Sequence, residues 1–138
     1  MSNAKLGWTA NIEQETLKNS TFRTALFTGS QMQLTVMSLK AGEEIGLEAH
    51  EDTDQFIRIE AGRARVTFGR SKDSVDETHE LADDDAVIIA AGTWHNVINV
   101  GDGDLKLYSL YAPPEHPDGT VHQTKAEADA AEAEHHGH

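Results

Sequence analysis

With 138 residues, 38% of them hydrophobic and 25% charged, the chain has the size and composition of one globular domain with a single core. It contains no cysteine, which excludes disulfides, thiolate metal ligands and a thiol nucleophile, and leaves His, carboxylate and amide oxygen as candidate metal donors. A formal net charge of −13 excludes nucleic acid and anionic membrane surfaces as partners, since both are recognised by clustered Lys and Arg.

Residues 1–21 read as an N-terminal extension. Their start lacks the basic and apolar blocks of a secretion signal, and no apolar run approaches the ~20 residues that span a bilayer. The expected location is therefore the cytoplasm. Strand-like segments follow at 22–28, 32–39, 55–60, 63–68, 86–89, 95–100 and 105–111, each rich in β-branched, aromatic or aliphatic residues. Turn chemistry separates them: Gly29-Ser30, Ala41-Gly42, Ala61-Gly62, Ala91-Gly92 and the Gly-Asp-Gly-Asp run at 101–104. The polar stretch 69–78 has no pattern and reads as a hairpin loop. Short strands with Gly-rich turns predict an all-β barrel or sandwich over 22–124, with no helix of useful length before the tail.

The last part of that domain, 111–124, is fixed by Pro113, Pro114 and Pro117-Asp118-Gly119 into an irregular but defined path. It reads as a segment closing the barrel end or packing on a partner, or else as a lid lending His116 or His122 to the cavity. Residues 125–138 are Ala- and Glu-rich and end in His135, His136 and His138. With no apolar face to bury, they read as a flexible tail.

Strand periodicity places several polar groups on one face. Glu48 and His50 are two residues apart, and Gln55 alternates with Ile57 and Ile59. The apolar face must be the interior, so Gln55 turns inward and Arg58 outward. His95 shares its face with Val97 and Asn99 by the same parity. Glu48, His50, Gln55 and His95 can therefore point into one barrel, whose interior is wide enough for one small ligand.

The segments 42–62 (GEEIGLEAHEDTDQFIRIEAG) and 90–99 (AAGTWHNVIN) resemble the two motifs of the cupin superfamily. Gly42, His50 and Gly62 fall in register with the first, and Gly92, His95 and Asn99 with the second. The resemblance implies a double-stranded β-helix, or jelly-roll, barrel holding one divalent ion of Mn, Fe, Ni or Zn. Three positions depart from the pattern: Glu48 replaces a His, Gln55 the Glu and Ala90 the Pro. Carried over residue by residue, the ligands become Glu48, His50 and His95, with Gln55 as a neutral fourth that orients a water. Asp54 would satisfy a shorter spacing, but parity puts it on the outer face with Phe56 and Arg58.

The chain is similar to small cupins described as mannose-6-phosphate isomerase-like, which implies a homodimer and a small polar substrate, sugar-like or carbonyl-bearing. Isomerase, lyase or oxygenase chemistry at the metal fits that resemblance. The alternatives are a barrel that holds a metal or small ligand without turnover, and one that has lost its metal.

Overall fold

The computed structural model describes residues 6–136, with side chains as far as 133. Two antiparallel sheets enclose the core. The larger has six strands in the order β6-β3-β8-β2-β1-β9, and the smaller has β5-β4-β7. Seven of these are the expected strands, each within one residue of its expected ends. They are β1 Arg23–Thr28, β2 Gln33–Leu39, β3 Asp54–Ala61, β4 Ala64–Gly69, β6 Ala86–Ile89, β7 Trp94–Asn99 and β8 Leu105–Ala112. The core joins Ile57, Ile59, Met37 and Leu107 of the large sheet to Val66 and Val97 of the small one. Ile57, Ile59 and Val97 face the interior, as alternation predicted.

Four elements depart from the sequence expectation. β5, Glu77–Leu81, pairs along β4 from Phe68↔Glu77 to Ala64↔Leu81, so the loop at 69–78 ends two residues early. β9, Val121–His122, pairs with β1 and ends the closing segment. The N-terminal extension forms the helix α1, Ile12–Lys18, where no helix was expected. Asn11 caps it by accepting the Gln14 N–H at 3.0 Å, and Glu13 and Glu15 lie near its N-terminus, where the helix dipole favours them. Thr16 is fully buried, and α1 packs against β2, β3 and β8, which helps bury both faces of β2.

The tail forms α2, Lys125–His136, rather than remaining unstructured along its length. Thr124 Oγ1 accepts the Glu127 N–H at 3.2 Å and Glu127 reaches back to the Gln123 N–H at 3.1 Å, a variant of the capping box. Ala128 is buried and belongs to the core cluster that contains Phe22, so the helix has a small apolar contact. The His-rich end falls on residues whose side chains are outside the described part, and His138 lies outside it altogether.

Candidate metal centre

The chain between β2 and β3 carries Glu48 and His50 and is zipped onto β7. The Gly42 N–H donates to the Asn99 carbonyl at 3.3 Å, Asn99 to Glu43 at 2.9 Å and Ile45 to Val97 at 2.9 Å. Glu48 and His95 then exchange both backbone hydrogen bonds, at 3.0 and 2.8 Å. Residues paired this way sit directly opposite and project to the same face. Glu48 thus reaches the site through an isolated bridge, not through the continuous strand that spacing suggested. The Gly92 N–H donates to the His50 carbonyl at 2.8 Å, and Gly92 holds φ +84°, a conformation that favours glycine. Asn99 secures the far end, donating to the Leu39 and Gly103 carbonyls and accepting from Gly101 N–H. The two motifs are one backbone unit.

That unit brings three donors together. Glu48 Oε1 lies 3.3 Å from His50 Nε2 and 3.6 Å from His95 Nε2, and one ligand atom from each residue falls within 4.8 Å of the others. Side-chain exposure drops from 27% at Glu48 to 10% at His50 and 3% at His95, so the carboxylate is the solvent-reachable member. His95 Nδ1 donates to the Thr93 carbonyl at 2.9 Å, which fixes the tautomer and leaves Nε2 with its lone pair. Among the described residues this buried Nε2 has no hydrogen-bond partner, with Glu48 Oε1 just beyond reach at 3.6 Å. An unsatisfied buried acceptor is costly unless a cation or water meets it.

The electrostatics favour positive charge at the same place. Burial opposes protonation of His50, but contacts with Glu115 and Glu48 outweigh it and push its pKa up to about 10. Burial likewise opposes the Glu48 carboxylate, and the two imidazoles still hold it well below the usual carboxylate range. A divalent cation fits this donor set of two imidazole nitrogens and one carboxylate oxygen.

The other sequence candidates sort by their contacts. Gln55 is buried on the interior face of β3; its Nε2 donates to Ser109 Oγ at 3.4 Å and its Oε1 has no protein partner. Asp54 is exposed and accepts the Ala91 N–H at 2.9 Å, in keeping with its outward parity. Arg58 lies outside the barrel, paired with Asp84 at 3.0 Å and Glu60 at 3.8 Å. His116 packs edge-on against Tyr111 with ring centroids 5.1 Å apart, and His122 Nδ1 lies 3.3 Å from Arg23 Nη1. The closing segment does reach the centre, but with a residue that spacing did not single out: Glu115 Oε2 lies 3.4 Å from His50 Nδ1.

A groove of about 490 Å³ lies open at the surface beside β4 and β6, lined in part by Phe68, Arg70, Glu77, Ile88 and Thr93, and none of Glu48, His50, Gln55 or His95 lines it. Phe68 lies opposite His95 across β4 and β7, and Ile89 opposite Gln55 across β3 and β6. Cross-strand partners share a face, so Phe68 and Ile89 are the lining residues whose faces match those of His95 and Gln55.

Comparison with known proteins agrees with this architecture. The chain is 59% identical over 122 residues to YrkC of Bacillus subtilis (strain 168), a match covering 88% of this chain and 66% of that protein. It therefore spans just under two thirds of that relative's length. Protein L612 of Acanthamoeba polyphaga mimivirus is 43% identical over 122 residues, covering 88% of this chain and 74% of that one. The crystal structure of BH2720 from Bacillus halodurans superposes with a TM-score of 0.90 at 52% identity, over 93% of this chain and 97% of that one. KdgF from Halomonas sp. shares the fold alone, at a TM-score of 0.60 and 18% identity over 67% of this chain and 80% of that one. The Cupin domain family matches residues 35–111, a span that holds both motifs and the three converging donors, and the chain belongs to that family.

Proposed function

We propose that the chain is a mononuclear divalent-metal cupin that acts on a small polar substrate, sugar-like or carbonyl-bearing, by isomerase, lyase or oxygenase chemistry. The convergence of Glu48, His50 and His95, with the buried His95 Nε2 lacking a hydrogen-bond partner among the described residues, carries this reading. Mn, Fe, Ni or Zn suits such donors, and when bound supplies Lewis acidity and open coordination positions. The chain's own residues do the rest. Thr93 locks the His95 ring, and Gln55 Oε1 offers a buried acceptor to a water or a substrate hydroxyl. Arg58 is turned outward and ion-paired with Asp84 and Glu60.

One observation favours a second reading, binding without turnover. The closing segment's imidazole, His116, packs on Tyr111, and burial together with the charge of Arg23 lowers its pKa to about 4. It is a weak general base there.

Elemental analysis of purified, unchelated protein tests the metal. We expect about one divalent ion per chain, and loss of that ion in His95→Ala, which leaves two of the three donors. Ions that bind the native state must also raise its melting temperature. Protein without metal, whose melting temperature Mn, Fe, Ni and Zn all fail to raise, would contradict the reading. A turnover screen of metal-loaded protein against aldoses, ketoses and 2-keto acids then separates enzyme from binding module.

A further inference from the structure

We infer that Glu115, outside both cupin motifs, is a positioning residue for the centre: its carboxylate holds His50 Nδ1 and thereby aims Nε2 at the ion. The inference rests on the metal reading given above. Glu115 Oε2 lies 3.4 Å from His50 Nδ1, while His50 Nε2 faces Glu48 Oε1 at 3.3 Å. The imidazole is thus spanned by two carboxylates, one per nitrogen. The His95 ring is held in the same sense, by the Thr93 carbonyl at Nδ1. An acceptor at the far nitrogen fixes tautomer and ring orientation and raises ligand basicity.

The position of Glu115 is itself built. Gln33 of β2 is fully buried, and its Oε1 accepts the backbone N–H of Glu115 at 3.2 Å and of His116 at 3.0 Å. Its Nε2 donates to the His116 carbonyl at 2.8 Å and to Thr28 Oγ1 at 2.9 Å. One amide therefore clamps the closing segment by three backbone contacts at the residue that reaches His50. Tyr111, the cross-strand partner of Gln33, fills the space between, with its ring 6.0 Å from His50 and 5.1 Å from His116. Glu115 is exposed, so its substitution leaves no cavity in the core.

The test titrates chelator-treated protein with Co(II), following calorimetry and the visible d–d spectrum. Glu115→Ala is expected to weaken Co(II) binding about 10- to 100-fold, the usual effect of removing such a support. Glu115→Gln, whose amide oxygen can still accept from Nδ1, is expected to recover part of that loss. The spectrum should shift in Glu115→Ala, because His50 is less firmly oriented, and the metal-free melting temperature should stay near that of the unmodified protein. Equal Co(II) affinities and superimposable spectra for all three proteins overturn this inference alone. Failure of the unmodified protein to bind Co(II) overturns the metal reading, and this inference with it. A loss in Glu115→Ala that merely tracks a lower metal-free melting temperature assigns the residue to folding and also overturns it.

Discussion

At Gln55 the interior offers a neutral amide where the family pattern has a carboxylate. Its Nε2 is engaged with Ser109 and its Oε1 is buried without a partner, so it presents one acceptor and no charge. Gln55→Ala is therefore expected to weaken metal binding by no more than about tenfold, the low end of the range for a supporting group. Gln55→Glu adds a second carboxylate beside Glu48 and is expected to tighten Mn(II) binding, because hard cations favour oxygen donors. If Gln55→Ala loses metal as fully as His95→Ala, the amide is a ligand and the three-donor account fails. Glu48, His50 and His95 were legible in the sequence because each lies at a fixed spacing from a glycine that the turn geometry requires. Glu115 was not. Its approach to His50 depends on a contact with Gln33 that bridges 82 positions, and no local spacing records it. The imidazoles of the same stretch drew attention because they are the commoner ligands, yet His116 and His122 face Tyr111 and Arg23.

The closing segment from Ala112 to β9 is the element with a pH-dependent hold. His116 has a buried Nε2 without a partner, and burial with Arg23 lowers its pKa from 6.5 to about 4, against smaller opposing effects of Glu115 and Glu48. Above pH 6.5 the ring is neutral in both folded and unfolded chains. Between 6.5 and about 4 the unfolded chain takes up a proton that the folded one refuses, so stability falls as the pH falls, by at most about 3 kcal/mol. His122, also lowered by burial and Arg23, acts with the same sign. His50, with its raised pKa, contributes fully below 6.5, and Glu48 and Glu115 lose their contributions only as the pH drops below 4.5. His116→Phe keeps a ring against Tyr111 and removes the titration. Urea unfolding of chelator-treated protein should show a shallower decline for the variant between pH 6.5 and 4; parallel declines would remove His116 from the account. Elements of this kind were partly legible. The core strands announced themselves through apolar alternation, whereas β5 is polar apart from Leu81 and exposes most of its length. Both helices are held by caps rather than by an apolar stripe, Asn11 in one case and Thr124 with Glu127 in the other, so hydrophobic periodicity was silent there.

At the scale of the molecule, one apolar row on the large sheet points away from the core. Cross-strand pairing sets Ile88, Phe56, Leu110 and Leu34 side by side over β6, β3, β8 and β2. Leu34 is buried and Phe56 and Leu110 are half-buried, but Ile88, on the terminal strand β6, is 71% exposed. Among the described residues β6 also has a neighbour on one side only. An edge strand that ends an apolar row is a surface that proteins cover, and a second copy of the chain covers it symmetrically. We propose a homodimer through this face. The net charge of −13 on each copy opposes the pairing, and salt screens that repulsion: the Debye length falls from about 30 Å at 0.01 M to about 8 Å at 0.15 M. Light scattering at tens of micromolar and physiological salt should therefore give twice the 15.1 kDa chain mass, moving toward the single mass as salt is removed. Ile88→Lys places a charge at the centre of the contact and should return the single mass at either salt level. Because Ile88 faces outward, the variant should keep the fold and melt near the unmodified monomer. A single-chain mass for the unmodified protein at physiological salt, or a dimer that Ile88→Lys leaves intact, assigns no dimer to this face.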